Sequence, residues 1–177
     1  RDGDVGCTLA VIVDCNPARW ARCEDGAVER FIEHLLVFSN AFYLVNACNQ
    51  LLIYGIHPDE VCCMWPEPGG AMGEPAATSA DQQKLRPTLL SSIQRLLTLT
   101  PTTGATRLSG GMSLALCRLQ RAHRADPKQE LRTLVVSVTP DDPAQHLAIM
   151  NCAFTGSTRL GSNPRGGRAH AQGTHAL

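Results

Sequence analysis

The sequence predicts an α/β fold: a mostly parallel central sheet with an antiparallel edge strand, and helices on both faces in a three-layer sandwich. Three observations carry that expectation. Short β-branched, apolar runs alternate along the chain with stretches whose apolar residues recur every three or four positions, the rhythm of strands separated by amphipathic helices. The run CTLAVIVD at 7–14 is continuously apolar rather than alternating, as in a strand buried on both faces. The runs QLLIYGI at 50–56 and VCCMW at 61–65 are joined by a connection too short for a crossover, so they pair as an antiparallel hairpin.

Taken in order, the first strand ends at Asp14 and is broken by Asn16-Pro17. A helix follows over about 26–43, with Val28, Phe31, Ile32, Leu35, Leu36 and Phe42 on its apolar stripe. The hairpin turns through His57-Pro58-Asp59-Glu60, where proline fixes φ. Residues 66–80, rich in proline and glycine, read as a long surface loop. A second helix covers about 82–97, with Arg86-Pro87 able to move its start to Thr88 and with Leu89, Leu90, Ile93, Leu96 and Leu97 inward. After a Thr-rich turn at 98–106, a third helix covers about 108–123, with Leu108, Met112, Leu116 and Leu119 inward and Ala115 allowing close approach. LRTLVVSV, from 131 to 138, is apolar enough for the sheet centre, and Pro140-Asp141-Asp142-Pro143 turns into a short helix at 144–154. These elements form one domain, 1–154. Residues 155–177 contain no acid and no aromatic residue, and this composition predicts a disordered Gly/Arg/Ser-rich tail.

Charge and composition narrow the function. Acids and bases balance at 16 each, which argues against strong direct binding to nucleic acid and implies low solubility alone and a partner. No apolar run is long enough for a membrane span, and no leader pattern opens the chain, whose Arg1 reads as a trimmed or partial start. Of the eight cysteines, Cys7, Cys15, Cys48, Cys62, Cys63 and Cys117 lie in or beside apolar stretches and read as reduced core residues; no C-x-x-C pair is present.

The candidate chemistry is sparse. Asp14 ends a buried strand, a position from which a carboxylate can help coordinate a hard cation. In the von Willebrand factor A fold an Asp-x-Ser-x-Ser turn does so, with a threonine and an aspartate from later loops. Here the turn reads Asp14-Cys15-Asn16-Pro17-Ala18: Asn16 offers an oxygen and Ala18 none, and Thr106 and Asp141 or Asp142 would be the later ligands. The expectation is a degenerate metal site at Asp14 and Asn16, with Asp14 capping the turn. Leu108-Ser109-Gly110-Gly111 is similar to an ABC-ATPase signature, but no phosphate-binding loop accompanies it, so Ser109 reads as a helix N-cap and the glycines as allowing close approach to the sheet. No nucleophile elbow or dinucleotide fingerprint is present, and His34, His57, His123 and His146 have no obvious carboxylate partner. Cys62 and Cys63 alternate in a strand and point to opposite faces, which suits packing better than redox pairing.

LAVIVDCNPARW at 9–20, NQLLIYGIHPDEV at 49–61, RLSGGMSLALCRLQR at 107–121, LRTLVVSVTPDD at 131–142 and HLAIMNCAF at 146–154 together carry a resemblance. Over residues 7–154 the chain resembles the general transcription factor IIH subunit 3 family, the smaller von Willebrand factor A-like subunits of the TFIIH core. The resemblance implies a nuclear, non-enzymatic scaffold that binds the larger, zinc-binding von Willebrand A subunit, in RNA polymerase II initiation and nucleotide excision repair. The family continues with further strands and a C-terminal zinc module, which this chain lacks. It enters the Gly/Arg-rich segment near Thr155 instead, as if a frame change or unspliced segment supplied 155–177, and an unpaired sheet edge is expected. The rival reading is a cation-dependent, adhesion-type von Willebrand A ligand-binding domain using Asp14.

Overall fold

A computed structural model describes residues 5–66, 82–100 and 104–160, with side chains through 157. The sheet has strand order β3-β2-β1-β4, with β1 Cys7–Asp14, β2 Gln50–Ile56, β3 Val61–Trp65 and β4 Glu130–Val136. β1 pairs in parallel with β2 and β4, and β2 pairs antiparallel with β3. The expected architecture and the antiparallel hairpin are both present.

Each face of β1 feeds its own core. Leu9, Val11 and Val13 pack with Ile32, Leu35 and Leu36 of helix α2 (Ala27–Val45) and with Leu85, Leu89, Ile93 and Leu96 of helix α3 (Gln82–Thr98). Ala10 and Ile12 pack on the opposite face with Ala115 and Leu119 of helix α4 (Leu108–Ala125). A continuously apolar strand is thus satisfied by helical layers on both sides. Helix α5 (His146–Leu160) lies against α4.

Several elements differ from their sequence expectations. A short helix α1, Pro17–Trp20, follows β1 directly: the Asn16 side chain accepts from Ala18 N–H, and Pro17 occupies the first turn, where a missing N–H is harmless. Pro87 lies inside α3, which begins at Gln82 rather than Thr88; the burial of Leu85 outweighs the hydrogen bond that proline removes. The fourth strand is an edge strand, not a central one, and Leu134 and Val135 stay exposed. Its apolar composition demanded burial, but not by elements of this ordered region. A single turn of 3₁₀ helix, Pro143–Gln145, precedes α5, which then continues past the expected end at 154 to Leu160. The loop at 66–80 lies almost wholly outside the described residues, as does the segment 161–177.

The cysteines divide differently from the expectation. Cys15 is buried and Cys7, Cys62 and Cys63 half-buried, but Cys48 and Cys117 are exposed, because each falls on the outward side of its turn or helix. Cys62 packs toward the α2/α3 core and Cys63 toward the α4 core, as alternation along a strand requires.

Candidate functional site

β1 carries Asp14 to the carboxyl edge of the sheet, where its side chain is fully buried. Oδ1 accepts the Asn16 backbone N–H at 3.0 Å, which closes the turn locally. Oδ2 accepts the backbone N–H groups of Thr139 at 2.8 Å and Val138 at 3.2 Å, and the Ser137 hydroxyl at 3.2 Å. The carboxylate therefore also holds the segment that leaves β4, a role beyond the expected turn cap.

Asn16 reinforces this arrangement. Its Nδ2 donates to the Gly104 carbonyl at 3.0 Å and to Thr139 Oγ1 at 3.3 Å, and its Oδ1 accepts Ala18 N–H at 3.1 Å. Trp20 Nε1 donates to the Asp14 carbonyl at 2.7 Å, and its ring lies 5.3 Å from that of Phe31. β1, α1, the loop before α4 and the segment after β4 thus meet on two buried polar side chains.

The residues do not fit a hard cation. Such an ion needs free oxygen lone pairs in near-octahedral order. Here the Asp14 oxygens face four N–H or O–H donors, and Asn16 turns its amide N–H groups toward the neighbouring oxygens. Thr106 is buried with its carbonyl accepting from Gln145 Nε2 at 2.6 Å. Asp142 caps the 3₁₀ turn, accepting Ala144 N–H at 3.0 Å and Gln145 Nε2 at 3.0 Å, and these bonds, Gln145's first, hold its carboxyl below the ordinary carboxylate range. Among the described residues no group of three or more His, Cys, Asp or Glu side chains converges.

Beside the strut is a cleft of about 470 Å³, with Leu108, Val135 and Ile149 as apolar wall and Ser137, Thr139, Asp141 and Asp142 as polar rim. Gln145 ties it together, since Ser109 N–H and Oγ both reach Gln145 Oε1 at 3.2 Å. Ser109 therefore lies inside α4 and bonds across to the 3₁₀ turn, correcting its expected capping role; the N-cap position is Arg107, with no side-chain cap. Gly111 does allow close approach, with Ile56 and Ile12 directly against it.

The model of the transcription factor Tfb4 family matches residues 7–160. The chain belongs to the Tfb4 family. It is 28% identical to general transcription factor IIH subunit 3 of Dictyostelium discoideum, over 71% of this chain and 39% of that protein. It is 25% identical to the general transcription and DNA repair factor IIH subunit TFB4 of Arabidopsis thaliana, over 83% of this chain and 52% of the relative. The crystal structure of the TFIIH p34 N-terminal domain superposes with a TM-score of 0.78 at 26% identity, covering 90% of this chain and 79% of that one. The chain therefore spans about half the length, or less, of the curated relatives it matches. The von Willebrand factor A-like fold expected from the resemblance agrees with this structural match.

Sequence reasoning for this Tfb4-family chain found Asp14, Asn16, Thr106, Asp141 and Asp142, and all but the first two line or border the cleft rather than a shared ion position. It missed Ser137, Thr139 and Gln145, whose types carry no distinctive signal until the fold brings them to Asp14 and Thr106. It also missed a carboxylate near His57: this buried imidazole accepts Asp59 N–H on Nδ1 at 3.1 Å, with Asp59 Oδ2 3.9 Å away. Among the described residues no helix is long and apolar enough to cross a membrane.

Proposed function

We propose that the chain is a non-catalytic scaffold module of the TFIIH core, acting in the nucleus in RNA polymerase II initiation and nucleotide excision repair, and that it binds the larger zinc-carrying von Willebrand A subunit. The observation that carries this reading is the buried Asp14 carboxylate, whose oxygens are engaged by Asn16, Ser137, Val138 and Thr139. A fold whose relatives' chemistry would begin with an ion here instead uses the carboxylate as an internal strut. What it offers outward is then shape. Membership of the Tfb4 family and relatives named as transcription and DNA repair factor subunits support the assignment. The reading also includes no cofactor in this chain and no direct strong contact with nucleic acid.

The test is recovery of TFIIH core subunits from nuclear extract on the immobilised 177-residue chain. Recovery of the larger von Willebrand A subunit is the expected result, and recovery of no core subunit overturns the reading. Calorimetric titration with Mg²⁺ and Mn²⁺ separates the adhesion-type alternative, which requires tight binding that Asp14→Ala removes. The scaffold reading expects no binding heat.

A further inference from the structure

The outer edge of β4 has no strand beside it among the described residues, although β4 is as apolar as a central strand. Leu134 is 38% and Val135 37% exposed, one on each face of the sheet. On the α4 side, α5 adds a stripe: Leu147, Met150 and Phe154, at i, i+3 and i+7, are 74%, 40% and 60% exposed. Val135 and Ile149 line one cleft, which places α5 next to the end of β4. An open edge flanked by exposed apolar side chains is the half-built form of a continuous sheet and its covering layer.

The occupant must bring an unpaired strand and its own apolar flanks. Residues 161–177 contain no valine, isoleucine or aromatic residue, so that sequence offers no such strand. A second copy of β4 offers both, and the formal net charge of zero sets no long-range repulsion between copies. We propose that two copies of this chain associate through β4, paired antiparallel across a two-fold axis at Thr133 into one continuous sheet. In that register every residue of β4 has a partner. Leu131 stands opposite Val135 of the second copy, Arg132 opposite Leu134 of the second copy and Glu130 opposite Val136 of the second copy, so no like charges are directly opposed. The α5 stripes extend the contact beyond the strand edge, which alone is too small for a stable interface. The association is independent of the TFIIH role.

Sedimentation velocity of the 177-residue chain over roughly 1–100 µM tests this by mass action. A concentration-dependent doubling of mass is expected, with slower amide exchange in β4 as dimer forms. Thr133→Lys sets two ammonium groups on the axis and returns a monomer with an unchanged far-ultraviolet dichroism spectrum. Met150→Lys with Phe154→Lys, off the strand, weakens dimerisation at least about tenfold, and this variant decides the matter should Thr133→Lys unfold. A monomer throughout the range, open-ended assembly, a dimer indifferent to both variants, or unaltered β4 exchange would overturn the proposal.

Discussion

Asp14 and Thr139 are 125 residues apart in sequence, yet the Thr139 backbone N–H donates to Asp14 Oδ2 at 2.8 Å. With Val138 N–H and the Ser137 hydroxyl on the same oxygen, the end of β1 holds the exit of β4 through a buried charge-assisted cluster. Removing the carboxylate leaves several buried donors unmatched at once. Asp14→Ala is therefore expected to lower the unfolding free energy by about 2–4 kcal/mol, read from urea denaturation. A loss near 1 kcal/mol would mean that only the local cap to Asn16 contributes.

Trp20 gives a milder test of the same corner. Its Nε1–H bonds the Asp14 carbonyl at 2.7 Å, while its ring packs on Phe31. Trp20→Phe keeps an aromatic ring and deletes the donor, so the expected cost is about 1 kcal/mol, the net value of one neutral hydrogen bond. Trp20→Ala loses the ring as well and should cost more in the same denaturation assay.

These two residues also mark how far the sequence was legible. Strands β1 to β3 and helices α2 to α4 were readable because their apolar periodicity reports directly on burial, and burial decided them. β4 had the same signal, but composition describes how much burial a strand calls for, not which neighbour supplies it; the edge position is a property of topology. The Asp14 turn was found because an acid ending a buried strand is conspicuous. Its partners were not, since two of the three donors to Oδ2 are backbone N–H groups, identical at every non-proline residue. Ser109 misled for a related reason: it sits where a cap would be plausible, and only the approach of Gln145 gives its hydroxyl a different partner.

Burial pushes the Cys15, Cys62 and Cys63 thiols up from the ordinary value of 9.0, most strongly at Cys15, with Arg95 partly offsetting the rise at Cys62 and Arg118 at Cys63. Cys23, Cys48 and Cys117 are exposed. Iodoacetamide labelling of the native chain, followed by peptide mass spectrometry, should modify the exposed three first and Cys15 only on unfolding. The same shifts fix the sign of the alkaline response. Thiols whose folded pKa is raised contribute stability fully present below the unfolded value of 9.0, and that stability is lost as pH rises above it, because the unfolded chain releases the protons first. The melting temperature should fall above pH 9.0, and Cys15→Ala should flatten that fall.

Gly110 and Gly111 are neighbours in the first turn of α4, yet their substitutions should have opposite signs. A Cβ on Gly111 would lie 2.5 Å from Ile56 Cγ2 and 3.3 Å from Ile12 Cγ2, both on β-branched side chains held in the core. Neither has a flexible end to swing away, so the helix must lift from the sheet; Gly111→Ala should destabilise by about 1–3 kcal/mol, as overpacking does. A Cβ on Gly110 meets Val61 Cγ2 at 3.5 Å, ordinary contact, and its φ lies outside the left-handed region. Gly110→Ala then gains helix propensity, up to about 1 kcal/mol, less near a helix end. Thermal unfolding of the two variants should bracket the parent, with Gly110→Ala at or above it and Gly111→Ala below. Equal melting temperatures would mean that α4 does not seat on Ile56 as closely as these distances require.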